Sequence, residues 1–258
     1  MNKDQFFLRF NLHNSFGNFG DSPLIMKDYL DDFDASRDYL EKISSIQDER
    51  QKELSSNFYQ NIEKLYDKKV LFIGDSITND RLGYRTTVTR AAKLKGLNAS
   101  ISGIMTPNMV GVAIDWIAGS NPDIVSIMIG TNDANKIGYG FNKNAVSVGD
   151  YEKNLEVILD FAKQRGSKIL LCEIPYICEE KFNSTNGGRR INSNENIRDY
   201  NMIVRKLAKK YADVLVFHDW ILNDPNIADF FEDDGLHLSS TGHEVFAKMW
   251  LTNALKIV

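Results

Sequence analysis

Ser76 stands in Gly74-Asp75-Ser76-Ile77-Thr78, directly after the apolar run KVLFIG (69–74). A serine at a sharp turn from strand to helix projects its hydroxyl from a sheet edge, where the N–H groups of the following helix favour negative charge. The tripeptide alone says little, because Gly, Asp and Ser are ordinary turn and capping residues. The chain carries its own control in Gly20-Asp21-Ser22, which lacks a preceding apolar strand and runs into Pro23, so it reads as a turn or helix start. Gly130-Thr131-Asn132-Asp133 closes another apolar run. The Asn132 amide there can either tie down the turn or donate to an oxyanion. Gly103 offers a backbone N–H with no side chain to block close approach. Asp234-Gly235-Leu236-His237 sets a carboxylate three residues before a histidine, where it can orient the ring and stabilise an imidazolium. A serine hydroxyl becomes an effective nucleophile when such an imidazole accepts its proton.

These residues need elements to position them. The chain divides near residue 67 into an N-terminal helical extension, residues 1–66, and an α/β domain, residues 67–258. Residues 1–22 show no clear period. From Pro23 to Tyr66 the apolar residues Ile25, Tyr29, Leu30, Phe33, Tyr39, Leu40, Ile43, Ile46, Phe58, Ile62, Leu65 and Tyr66 recur at helical spacing on a charged background. No Gly/Ser-rich linker follows, so the extension is expected to dock on its own α/β domain. Beyond Lys68, strand-like runs (KVLFIG, NASIS, DIVSIMIG, SKILLCEI and DVLVFH) alternate with helical stretches at 151–164, 196–211 and 241–255. Apolar strands separated by helices predict a central five-stranded parallel sheet buried on both faces, a three-layer α/β/α sandwich. In such sheets the chemistry lies in loops at the carboxyl ends of the strands.

Gly74-Asp75-Ser76, Asn98 through Gly103, Gly130-Thr131-Asn132-Asp133 and Asp234-Gly235-Leu236-His237 together resemble the SGNH (GDSL) hydrolase family of esterases and lipases, over roughly residues 68–256. NASISG looks like the bacterial lysophospholipase/thioesterase branch, although Ile104-Met105-Thr106 follow where an Asp before Thr or Ser is common. The resemblance implies a flavodoxin-like SGNH fold with Ser76 as nucleophile, His237 as general base and then acid, and Asp234 orienting His237. It implies an oxyanion hole made of the Ser76 and Gly103 N–H groups and the Asn132 amide. No cofactor is expected.

Composition bounds the alternatives. Lys and Arg number 31 against 35 Asp and Glu, a net charge of −4, which argues against a nucleic-acid partner. Two cysteines, Cys172 and Cys178, make neither a disulfide framework nor a paired metal motif. His243-Glu244 begins like a zinc motif, but Ala247 stands where the second histidine belongs. His243 therefore reads as a packing or surface residue. The neighbouring pair His218-Asp219 points its side chains apart along a strand. Gly138-Tyr139-Gly140 lacks the third glycine of a dinucleotide fingerprint. No run of about eighteen apolar residues suggests a membrane span, and the first residues lack a signal-peptide core, so a cytoplasmic protein is expected.

The long polar connections 134–150 and 176–195 are expected to wall the site, with Tyr139, Lys143, Arg189 and Arg190 favouring a hydrophilic alcohol such as an acetylated sugar. Ile104 and Met105, if they face the site, shorten the acyl pocket. The same triad serves acyl transfer to another acceptor or hydrolysis of longer acyl groups. A binding protein that keeps the fold without turnover is a further alternative.

Overall fold

The computed structural model describes residues 1–10, 31–57, 61–185, 187–218, 221, 224 and 226–258. Ser22, the stripe residues Ile25, Tyr29, Leu30 and Phe58, and Asp219 lie outside them.

Five strands form a parallel sheet: β1 (Lys69–Gly74), β2 (Lys95–Asn98), β3 (Ile124–Met128), β6 (Lys168–Cys172) and β8 (Val214–Val216). Their spatial order is β2-β1-β3-β6-β8, all pairs parallel. The chain leaves β1 toward β2 on one side and returns to β3 on the other. That reversal opens a crevice at the carboxyl end of β1, the usual place for a ligand in an open α/β sheet. Val70 to Ile73 and Ile124, Val125 and Ile127 are buried, as strands covered on both faces require.

The helices are α1 (Lys3–Arg9), α2 (Phe33–Asn57), α3 (Ser76–Asn79), α4 (Tyr84–Ala91), α5 (Thr106–Ser120), α6 (Thr131–Ala134), α7 (Val148–Gln164), α8 (Glu179–Thr185), α9 (Asn194–Tyr211) and α10 (Ser240–Ala254). Helices α5, α7 and α9 pack side by side in one layer, and α10 packs on α4 in the other, with α2 against α4. Trp250 anchors α10 on the sheet: its ring lies 5.5 Å from that of Phe72 and its Nε1–H donates to Ser126 Oγ at 2.9 Å.

The strands follow the expected runs except β2, which ends at Asn98, where NASIS was expected to begin. Asn98 Oδ1 accepts the N–H of Ser100 at 3.1 Å, an Asx-type turn, while the Ala99 and Ile101 N–H groups still donate to the Phe72 and Gly74 carbonyls of β1 at 2.9 and 3.1 Å. The polar connections 134–150 and 176–195 also hold secondary structure. Strands β4 (Lys136–Ile137), β5 (Lys143–Asn144) and β7 (Arg190–Ile191) form a small antiparallel sheet, and α8 precedes β7.

Helix α2 docks through a face more polar than its apolar stripe suggests. Ile43 and Leu54 are buried on it, and so are Gln47 and Arg50. Gln47 bonds the Arg81 carbonyl and the Thr87 hydroxyl, while Arg50 donates to the Leu82 carbonyl and to Ser240. Buried polar groups are tolerable because each finds a partner of this kind.

Candidate active site

Ser76 opens α3 at the carboxyl end of β1. Its neighbour Asp75 is extended (φ −100°, ψ −152°), and the Asp75 carboxylate caps the helix by accepting from Ile77 N–H at 3.1 Å. Ser76 Oγ lies 2.8 Å from His237 Nε2, and His237 Nδ1 lies 2.5 Å from Asp234 Oδ2. Asp234 Oδ1 accepts the backbone N–H groups of Leu236 and His237, each at 2.9 Å. A carboxylate beside Nδ1 selects the tautomer that carries its proton there, leaving Nε2 to accept from the serine hydroxyl. Burial pushes the Asp234 carboxyl up. The hydrogen bond from the His237 ring, its charge and the two N–H donors outweigh burial and hold the carboxyl at about 2. Asp234 is therefore ionised throughout the neutral range.

Helix α10 positions this pair. It starts three residues after His237, and the hydroxyl of its capping residue, Ser239, accepts Gly242 N–H at 3.2 Å.

Gly103 and Asn132 follow β2 and β3, the two strands that flank β1, so the loops that carry them leave the sheet on either side of the Ser76 strand. Gly103 has φ +78° and open space where a Cβ would stand, so its dihedral and not crowding calls for glycine. Gly130, which turns the chain from β3 into α6, has φ +130°, and a Cβ there would meet Ile174 Cδ1 at 2.6 Å. Asn132 Nδ2 donates to the Ile104 carbonyl at 3.1 Å, which ties the Gly103 turn to α6. An amide carries two N–H donors, so this bond uses one of them. Ile104 and Met105 are half-buried and pack against the core.

The neighbouring carboxylates shape the field. Asp133 accepts the Thr106 backbone N–H at 3.0 and 3.1 Å, and also the Thr106 hydroxyl. Burial nevertheless pushes its carboxyl up to about 6. Burial also raises Asp75.

A cavity of about 430 Å³ opens beside the histidine, lined by Phe182, Thr185, Arg189, Arg190, Asp234, Leu236 and His237. Of the polar loop residues singled out in the sequence, Arg189 and Arg190 line this cavity. Tyr139 sits instead on the exposed turn between β4 and β5, and Lys143 is in β5.

His243 and His218 lie apart from this relay. His243 is buried, its Nδ1 accepting Tyr84 N–H at 3.2 Å and its Nε2–H donating to Asp80 at 3.1 Å. His218 is buried against the Phe246 ring, 4.5 Å between centroids. Among the described residues, no group of three or more His, Cys, Asp or Glu side chains is placed to hold a metal ion, and no helix is long and apolar enough to cross a membrane.

Sequence reasoning missed Arg9 and Phe10, which reach this site from α1. A signal for the helix was present: Asn2 and Gln5 form a capping box ahead of Phe6 and Phe10, one helical turn apart.

The model of the GDSL-like lipase/acylhydrolase family matches residues 72–245 of the chain. A multidomain esterase of Ruminococcus flavefaciens is 30% identical over 161 residues, which are 60% of this chain and 18% of that protein. The chain thus spans less than a fifth of that relative's length. Among solved structures, the acetyl xylan esterase AlAXEase is 25% identical with a TM-score of 0.55, over 71% of this chain and 98% of that one. The lipase/acylhydrolase from Enterococcus faecalis shares the fold at 20% identity and a TM-score of 0.58, over 73% of this chain and 95% of that one.

Proposed function

From the premise that this chain belongs to the GDSL-like lipase/acylhydrolase family and hydrolyses ester bonds, we propose that it is a serine esterase removing short acyl groups, acetyl foremost, from a carbohydrate or other small hydrophilic alcohol. The observation that carries the mechanism is the continuous relay from Ser76 Oγ through His237 to Asp234, at 2.8 and 2.5 Å.

Ser76 Oγ attacks the ester carbonyl carbon as His237 Nε2 takes its proton. The carbonyl oxygen becomes an oxyanion that accepts from the Ser76 and Gly103 N–H groups and from the second N–H of the Asn132 amide. Preorganised donors are most effective at such a developing charge. Collapse breaks the bond to the alkoxide, which takes the proton from His237 Nε2 and leaves as the alcohol. Water then attacks the acyl-enzyme, gives its proton to Nε2, and the second collapse returns that proton to Ser76. Asp234 holds the Nδ1–H edge and balances the imidazolium without itself being protonated.

The hydrophilic alcohol is favoured by Arg189 and Arg190 in the cavity beside His237, the residue that must protonate the leaving group. The acetyl preference draws on the acetyl xylan esterase likeness and on the bulk of Ile104 and Met105 next to Gly103. Their packing against the core favours a second reading, a more open acyl pocket. The ratio of kcat/KM for acetyl, butyryl and octanoyl esters of one alcohol decides between them. The short-acyl reading expects a fall along the series. An open apolar pocket expects a rise, since each buried methylene contributes about 0.8 kcal/mol.

A further inference from the structure

The last turn of α1 touches three of the four loops that build the candidate site, those of Ser76, Gly103 and His237. The buried Arg9 guanidinium donates from Nε to both oxygens of Asp80 (3.1 and 2.9 Å), from Nη1 to Glu232 (2.7 Å) and from Nη2 to the Leu238 carbonyl (3.2 Å). Asp80 ends the short helix that begins with Ser76, while Glu232 and Leu238 bracket Asp234 and His237. The Phe10 carbonyl accepts from Asn79 Nδ2 at 2.9 Å and from the hydroxyl of Ser102, the residue before Gly103. The Phe10 ring is 1% exposed and lies 4.3 Å from the His237 ring, centroid to centroid, at 41°. Phe6 braces Phe10 at 4.8 Å and stands edge-on to the same imidazole at 6.1 Å. Among the described residues, Phe10 belongs to neither apolar core cluster.

We propose that α1 is part of the catalytic apparatus and that Phe10 is a positioning residue, which holds the His237 imidazole in line with Ser76 Oγ. The proposal rests on the roles assigned above to Ser76 and His237. Asp234 grips the ring at one edge, through Nδ1, and a single edge contact leaves the ring free to rock about it. The Phe10 ring, packed at a tilt of 41° against the imidazole, removes that freedom and keeps the Nε2 lone pair on the serine hydroxyl. Arg9 and the Phe10 carbonyl meanwhile hold the Ser76, Gly103 and His237 loops at fixed spacing. Misplacing a reacting group by about 1 Å can cost about 10²-fold in rate, which sets the scale of the effect.

The test uses the full chain with Phe10→Leu and Phe10→Ala, alongside Ser76→Ala. The readouts are kcat and KM for 4-nitrophenyl acetate, the rate of Ser76 labelling by a fluorophosphonate, and Tm. Phe10→Leu should lower kcat by about three- to tenfold and Phe10→Ala by about ten- to a hundredfold, with KM nearly constant and labelling slowed in step. A purely structural role would lower Tm and leave both rates of the folded protein unchanged. Wild-type kcat and labelling in either folded variant would overturn the proposal, as would a rise in KM at constant kcat. If Phe10→Ala does not fold, Phe10→Leu alone decides by the same criteria. Turnover or labelling surviving in Ser76→Ala would instead overturn the assignment of the nucleophile, which separates the two failures.

Discussion

In the proposed mechanism, replacing Ser76 by Ala removes the attacking oxygen and leaves the His237–Asp234 pair in place, so esterase activity should fall by about 10⁵–10⁶ in kcat, as for other serine triads. Ser22→Ala, in the other Gly-Asp-Ser, should stay close to wild type, and steady-state kinetics of the two variants measure the contrast directly. Asn132 is subtler, because its amide also donates to the Ile104 carbonyl. The turn-holding and oxyanion readings of this residue are thus compatible, one for each N–H. Asn132→Ala should lower kcat by about 10²–10³ with little change in KM, since the oxyanion forms only after binding. It should also lose about 1 kcal/mol of stability from the broken tie to Ile104. Kinetics and thermal melts on one preparation separate the two effects. A destabilised variant with normal turnover would leave Asn132 a turn residue only.

At the scale of elements, the docking of α1 hinges on a buried ion pair. Asp80 is fully buried, and although burial pushes its carboxyl up, His243 and Arg9 together hold it at about 2. Arg9→Ala strands this charge, and breaking a buried pair from one side costs about 3–5 kcal/mol. Adding Asp80→Asn removes the stranded charge and should recover a large part of the loss, as urea denaturation of the single and double variants would measure. This clasp was not legible in the sequence. Arg9 and Asp80 are 71 positions apart, and neither lies in a recognisable pattern. The β strands were legible because burial on both faces forces continuous apolar runs, as in KVLFIG. NASIS runs on beside β1 without regular strand geometry, because Ala99 and Ile101 still bond the β1 carbonyls while the Ser100 N–H turns back to the Asn98 side chain. The small sheet of β4, β5 and β7 was hidden for another reason: two-residue strands carry no period to read. Ser76, Asp234 and His237 were legible because each stands at a strand or helix boundary with local turn chemistry. The residues that hold them there act across the tertiary structure.

At the scale of the whole molecule, buried titratable groups with opposite demands shape stability against pH. Burial alone drives His218 from its ordinary 6.5 down to about 3, so the folded state excludes a proton that the unfolded chain accepts. Its contribution is complete above pH 6.5 and is lost as the pH falls through that window toward 3. Burial also lowers His243, which acts in the same sense despite its bond to Asp80. Asp133 works the other way: its carboxyl is raised from 3.8 to about 6, so its contribution is complete below 3.8 and is lost as the pH rises through 6. Asp75, raised by its burial, adds to that. Each such group contributes a slope of about 1.4 kcal/mol per pH unit within its window. Between pH 6 and 4 the slopes of His218 and Asp133 therefore oppose and largely cancel. Below 3.8 Asp133 no longer contributes a slope, while Asp80 and Asp234, both held at about 2, begin to lose theirs. The wild-type Tm should accordingly change little from pH 6 to 4 and then drop steeply. His218→Leu leaves the slopes of Asp133 and Asp75 opposed only by His243, so its Tm should rise relative to the wild type on acidification from pH 6 to 4. Asp133→Asn leaves the slopes of His218 and His243 opposed only by Asp75, so its Tm should fall relative to the wild type across the same interval. Thermal melts of the three proteins at half-unit pH steps test this, and parallel curves would show that neither group carries the protons assigned to it.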